Sequence, residues 1–120
     1  MRSVKAIFGT AVLMAAALSA TLTNTAAAVD GCVRTDPHPN SGTVYWVHVI
    51  NACNYTLYNV DAHVYNGPAG IDKRSGYRAN LKPGGWFELT GAWKAPAGSW
   101  TCGELWGPDA KHWGTDCVRM

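Results

Sequence analysis

The sequence predicts an all-β domain, a small antiparallel β-sandwich or barrel stapled by two disulfides. Three observations lead there. Apolar residues recur in short runs that read as strands, and no 3.6-residue apolar period is sustained for three turns. Gly and Pro punctuate those runs at near-regular spacing, as turns do between the strands of a sandwich or barrel. Four cysteines, Cys32, Cys53, Cys102 and Cys117, all fall after residue 28.

The first 28 residues form a unit of their own. Arg2 and Lys5 make a positive start, Ala6 to Leu18 is almost wholly apolar, and Ala26-Ala27-Ala28 offers the small side chains that signal peptidase accepts. The apolar run is shorter than the roughly 20 residues a membrane span needs. Cleavage of a secretory signal peptide after Ala28 is expected, with a short n-region and alanine content like those of a bacterial Sec signal. Residues 29–120 then form a single secreted, extracellular domain, expected to be a monomer. Removing Arg2 and Lys5 leaves eight basic against eight acidic residues, and the only basic pair is Lys73-Arg74, with Arg78 nearby. That balance argues against nucleic acid and anionic membrane as partners.

Taken in order, Val29 to Gly42 reads as a polar, turn-rich lead-in, because Asp36-Pro37-His38-Pro39 excludes a helix. Thr43 to Ile50 is dense in β-branched and aromatic residues on both faces, the pattern of a central strand. His48 alternates there with Val44, Trp46 and Ile50. Asn51 to Asn54 turns. Leu57 to Tyr65 alternates cleanly, with Tyr58, Val60, Ala62 and Val64 on one face and Asn59, Asp61, His63 and Tyr65 on the other. Asn66 to Gly70 is a loop that continues through Ile71 to Gly76. Tyr77 to Leu81 is a strand with Tyr77, Ala79 and Leu81 inward. Lys82-Pro83-Gly84-Gly85 is a type II turn. Trp86 to Trp93 sets Phe87, Leu89 and Trp93 on one face and Glu88 and Thr90 on the other. Lys94 to Gly98 closes a hairpin onto Ser99 to Trp106, the last clear strand, and the tail beyond Gly107-Pro108 is pinned by Cys117. Trp46, Tyr58, Phe87 and one of Trp86 or Trp100 are the expected aromatic core.

A domain of this size buries only about 60–65% of its unfolded surface, so its core alone is marginal. An even cysteine count in an exported chain implies a disulfide framework. Of the three pairings, the sequential one, Cys32–Cys53 with Cys102–Cys117, is preferred; each loop would contribute about 3 kcal/mol in the chain-entropy model. Cys32–Cys117 with Cys53–Cys102 is the alternative. His38, His112 and the cysteines lack C-x₂-C and H-x₃₋₅-H spacing, so no zinc site and no cofactor is expected.

Nor does a catalytic motif stand out. Asp61 and His63 share a solvent face, and Glu88 and Glu104 read as solvated charges rather than a glycosidase pair. There is no nucleophile elbow, no H-E-x-x-H and no phosphate-cradling glycine loop. A non-catalytic protein is expected, and Asn54-Tyr55-Thr56 is read as a chance glycosylation pattern. The aromatic content points to binding, since six Trp and five Tyr are more than a small core can hold. Trp93, Lys94, Trp106 and Trp113, at strand ends or in loops, are the candidate binding residues; the competing reading has these rings covering the core's open ends. The expected partner is an extracellular protein or a polysaccharide. Inhibition of an extracellular hydrolase ranks first, ahead of a carbohydrate- or cell-wall-binding module and a secreted toxin or antimicrobial protein.

Several segments together resemble a known family. These are Cys32-Val33, the aromatic strand leading to Asn51-Ala52-Cys53, the valine-rich run Val60 to Tyr65, and Leu81-Lys82-Pro83-Gly84-Gly85-Trp86. Over Cys32 to Leu89 the order of parts resembles the proteinaceous alpha-amylase inhibitors of the tendamistat type, secreted by actinobacteria. The resemblance implies a small β-sandwich, two sequential disulfides and secretion. The family's inhibitory Trp-Arg-Tyr triplet is absent, the matching strand reading Tyr45-Trp46-Val47-His48, and the third cysteine arrives only at Cys102. No inhibitory residue is therefore carried across.

Overall fold

Where β-branched and aromatic residues concentrate, the chain is extended: a computed structural model describes residues 30–120 as nine strands with no α-helix. The expected signal peptide lies outside the described residues. In chain order the strands are β1 (Asp30–Gly31), β2 (Val33–His38), β3 (Gly42–Asn51), β4 (Leu57–Asn66), β5 (Ile71–Arg74), β6 (Ala79–Leu81), β7 (Trp86–Ala95), β8 (Trp100–Trp106) and β9 (His112–Arg119). They make two antiparallel sheets. One has six strands in the order β1-β9-β8-β4-β5, with β6 also pairing to β4; the other has three, β2-β3-β7. The fold is all-β, and β3 is the central strand its two apolar faces predict.

The core lies between the sheets. Val44, Val47 and Val49 of β3 and Phe87, Leu89 and Trp93 of β7 meet Leu57, Val60, Ala62 and Val64 of β4 and Leu105 of β8, all buried. The sheets approach closely at Gly103, where an added Cβ would run into Thr35 Oγ1 and come within 3.1 Å of Val49 Cγ2. Two hydrogen bonds cross nearby. The Thr35 backbone N–H donates to Asp116 Oδ2 (2.7 Å), and its hydroxyl donates to the Asp116 carbonyl (2.8 Å). Burial pushes the Asp116 carboxyl above the usual aspartate range, although the Thr35 N–H and the charge of Arg34 pull the other way.

Both disulfides are sequential, Cys32–Cys53 and Cys102–Cys117, as preferred from loop size. Cys102 and Cys117 face each other directly across the β8–β9 ladder. At the far end of β3, buried Asn51 ties three segments together. Its amide donates to the carbonyls of Tyr55 (3.0 Å) and Leu81 (2.9 Å), and its Oδ1 accepts from the Cys53 N–H (2.8 Å). The Lys82–Gly85 turn forms as expected: the Gly85 N–H reaches the Lys82 carbonyl (2.8 Å), and Gly84 has φ 83°.

Five sequence expectations are corrected. The lead-in contains β2, which pairs along β3 from Val33↔Asn51 to His38↔Trp46; Pro37 is tolerated because β2 is an edge strand, where one row of N–H groups pairs with nothing in the sheet. Ile71 to Arg74 is also a strand, β5, whose charges suit an exposed edge. Lys94 to Gly98 does not close a hairpin, since β7 and β8 belong to different sheets. The tail is a full strand, β9, paired to β8 from His112 to Arg119.

The fifth correction concerns which aromatics are inside. Between Leu57 and Val60 the ladder to β6 slips by one residue, with Asn59 at φ 54°, so Tyr58 turns outward and is 67% exposed. A second slip, between Val44 and Trp46 against β7, turns both Tyr45 and Trp46 away from the core and leaves Val44 inside. Tyr77, Trp86 and Trp100 are exposed. Phe87 is buried as expected, and the one tryptophan in the core is Trp93.

Candidate functional site

The outer face of the three-stranded sheet carries a row of stacked rings. Trp46 and His48 lie on the reverse side of β3 from the buried Val47 and Val49. His38 of β2 lies opposite Trp46, and Trp86 of β7 lies opposite Ile50, diagonal to His48. The rings therefore line up across all three strands. His38 and Trp46 have centroids 4.2 Å apart at 12°, Trp46 and His48 4.1 Å at 27°, and His48 and Trp86 4.7 Å at 19°. Each inner ring has neighbours on both faces, so the row shows ring edges to solvent. Trp86 ends the row and is 54% exposed.

Charge is placed beside this row. His48 stands between Asp36 and Glu88 in register, and His48 Nε2 meets Glu88 Oε1 at 2.8 Å. The Glu88 side chain remains 51% exposed, so the contact leaves the carboxylate open to a partner.

The outer face of the six-stranded sheet holds a different cluster, centred on Glu104. His63 and Glu104 are direct cross-strand neighbours on β4 and β8. Glu104 Oε1 meets His63 Nδ1 (3.0 Å) and accepts from the Trp106 indole N–H (2.9 Å); Oε2 accepts from the Thr115 hydroxyl (3.1 Å). His112 Nε2 contacts Thr115 Oγ1 (2.8 Å), and His63 Nε2 contacts Asp72 Oδ1 (2.5 Å). Burial alone would push the Glu104 carboxyl up. The hydrogen bonds from Trp106, His63 and Thr115, with the charge of His63, outweigh burial and hold it below the usual glutamate range. Burial, and then the Glu104 charge, raises the Tyr65 phenol above its ordinary value. Glu104 is thus not the solvated charge expected from sequence: with both oxygens engaged by the protein's own side chains, it joins β4, β8 and β9. Among the described residues no group of three or more His, Cys, Asp or Glu side chains is placed to hold a metal ion.

The four candidate binding residues do not converge. Trp93 is 7% exposed with its ring over Gly91, so it packs the core and is unavailable to a partner. The cause is β-alternation, which keeps it on the same side as Phe87 and Leu89. Lys94, its neighbour, is exposed on β7. Trp106 and Trp113 belong to the other sheet. Trp106 leans on His112 with centroids 4.5 Å apart, whereas Trp113 packs edge-on to Tyr55 beneath the Lys111 ammonium. The row His38–Trp46–His48–Trp86 was missed because it depends on register across β2 and β7. The alternation of Trp46 with His48 was its only local trace. No protein-family model matches the chain, and no curated protein or solved structure is detectably similar to it.

Proposed function

We propose that the chain is a secreted, non-catalytic binding protein that inhibits an extracellular hydrolase, and that the outer face of the three-stranded sheet is its recognition surface. The observation that carries this reading is the four-ring row ending at Trp86. Tryptophan in a cross-braced sheet offers large contact area at little entropic cost, the usual character of an interface anchor. Two disulfides and the Asn51 knot hold the scaffold, which limits the ordering cost of binding. The order of parts shared with secreted amylase inhibitors supports secretion and a stapled sandwich, and no inhibitory residue.

Ring orientation favours a protein partner over a polysaccharide. A polysaccharide stacks along several open ring faces, and here only the ends of the row offer one, the inner faces being covered by neighbouring rings at 4.1–4.7 Å. The exposed edges and flanking carboxylates suit the mixed polar and apolar surface of a protein.

Micromolar oxidised protein should inhibit at least one secreted amylase or protease in a broad panel. Trp86→Ala should weaken that inhibition at least tenfold, as loss of an interface hot spot does at about 2 kcal/mol. A panel left wholly uninhibited would refute the reading.

A further inference from the structure

We infer that this face accepts a cationic side chain, an arginine or lysine presented by the partner protein, laid on the open side of Trp86 with its charge toward Glu88. The inference rests on the reading of the face as a protein-recognition surface and names the chemistry of its partner. Trp86 has His48 against one side of its ring, yet is 54% exposed, so its other side is open. Of the aromatic side chains, indole attracts a cation most strongly through its π-face.

Glu88 follows Trp86 by two residues on β7 and shares its face, so the two side chains are about 6.5–7 Å apart along the strand. That spacing lets a guanidinium or ammonium resting on the indole reach the carboxylate. Glu88 Oε1 is steadied by His48 at 2.8 Å while the side chain stays half exposed, so the acceptor is both oriented and accessible.

The charge balance of the face agrees. Asp36 and Glu88 flank His48, and Arg34, opposite Ile50, is the cation nearest them on these register positions. Arg34 sits two strands from Trp86, about 10 Å away, and is close enough to Asp116 to favour its ionised form. Lys94 shares this face but stands six residues along β7 from Glu88, about 20 Å away; with histidines neutral, the three nearer charged side chains leave one net negative charge beside an open indole. An anionic or purely apolar partner group would leave Glu88 facing an unfavourable neighbour, whereas a cation pairs with it.

The test uses the oxidised protein and two probes of equal shape, N-acetyl-arginine amide and the uncharged N-acetyl-citrulline amide. Binding is followed by the ¹H–¹⁵N indole resonance of Trp86, assigned from a Trp86→Phe variant. The arginine probe should shift this resonance and bind about two- to fivefold more tightly than citrulline, as an exposed cation–π contact with an ion pair predicts. Glu88→Gln should reduce the preference by about half or more without altering thermal stability. Equal response to both probes, or a preference unchanged in Glu88→Gln, would overturn the inference. That failure would leave hydrolase inhibition to be carried by other contacts. A hydrolase panel without a hit would leave the arginine preference standing.

Discussion

Asn51 shows how much one buried polar side chain holds. Its three hydrogen bonds satisfy the chain at the ends of β3 and β6 and in the Cys53 turn. Asn51→Ala should lower stability by at least about 2 kcal/mol, because it strands buried backbone groups; a urea titration with unchanged slope would measure this. Gly103→Ala should cost roughly 1–3 kcal/mol in the same experiment, since the methyl group would be forced against Thr35 and Val49. Glu104 gives a pH signature. Its native carboxyl titrates below the ordinary glutamate value of 4.5, so the stability it contributes is complete above that pH and is lost as pH falls through its lower native value. Glu104→Gln should therefore flatten the acid limb of a melting-temperature profile below about pH 4.5. Asp116 has the opposite sign: its raised native value means that stability declines as pH rises through that value. None of these roles shows in residue type alone. Asn51 reads as a turn residue and Glu104 as a surface charge until their partners come from elsewhere in the chain.

The strands that the sequence revealed are those with one apolar and one polar face, or two apolar ones: β3, most of β4, β7, β8 and the Ala79–Leu81 part of the run that became β6. Most of the hidden ones are short or edge elements; β9, eight residues long between β1 and β8, is neither, and went unseen because its run from His112 lacks clean alternation. β2 contains Pro37, and β5 reads Ile-Asp-Lys-Arg; proline and charge are what protect a sheet edge, and they are also what a search for strands treats as loop. Bulges misled in a second way. The slip at Asn59 inserts one residue into β4 and carries Tyr58 outward; the slip at Tyr45 has its extra residue on β7, between Thr90 and Trp93, and sets Val44 on the same side as Val47, leaving Trp46 on the other. The β8–β9 hairpin carries its staple directly across the ladder, at the Cys102↔Cys117 pair. Replacing Cys102 and Cys117 by Ser should cost about 3 kcal/mol, as the chain-entropy model gives for a short loop. Denaturant midpoints of the oxidised wild type and the double variant would measure it.

Across the molecule, the internal hydrogen-bond cluster and the proposed recognition surface fall on different faces. The six-stranded sheet spends His63, Glu104 and Thr115 on bonds among its own strands, while the three-stranded sheet turns its stacked rings to solvent. Trp86→Ala should therefore leave the melting temperature within the small range typical of surface substitutions, about ±0.5 kcal/mol, while weakening partner binding. Differential scanning calorimetry run beside the inhibition assay would separate the two effects. Alternation and turn chemistry are local properties, and they made the all-β class and the central place of β3 legible in the sequence; loop length favoured the sequential disulfides but left the Cys32–Cys117 pairing open until the fold brought the partners together. Only the tertiary structure decided which aromatics are buried and which face carries them. Alternation sets Trp93 and Trp86 on opposite faces of β7, but only the packing of the two sheets makes the first face core, and only pairing across β2, β3 and β7 brings His38, Trp46 and His48 into line with Trp86 on the second.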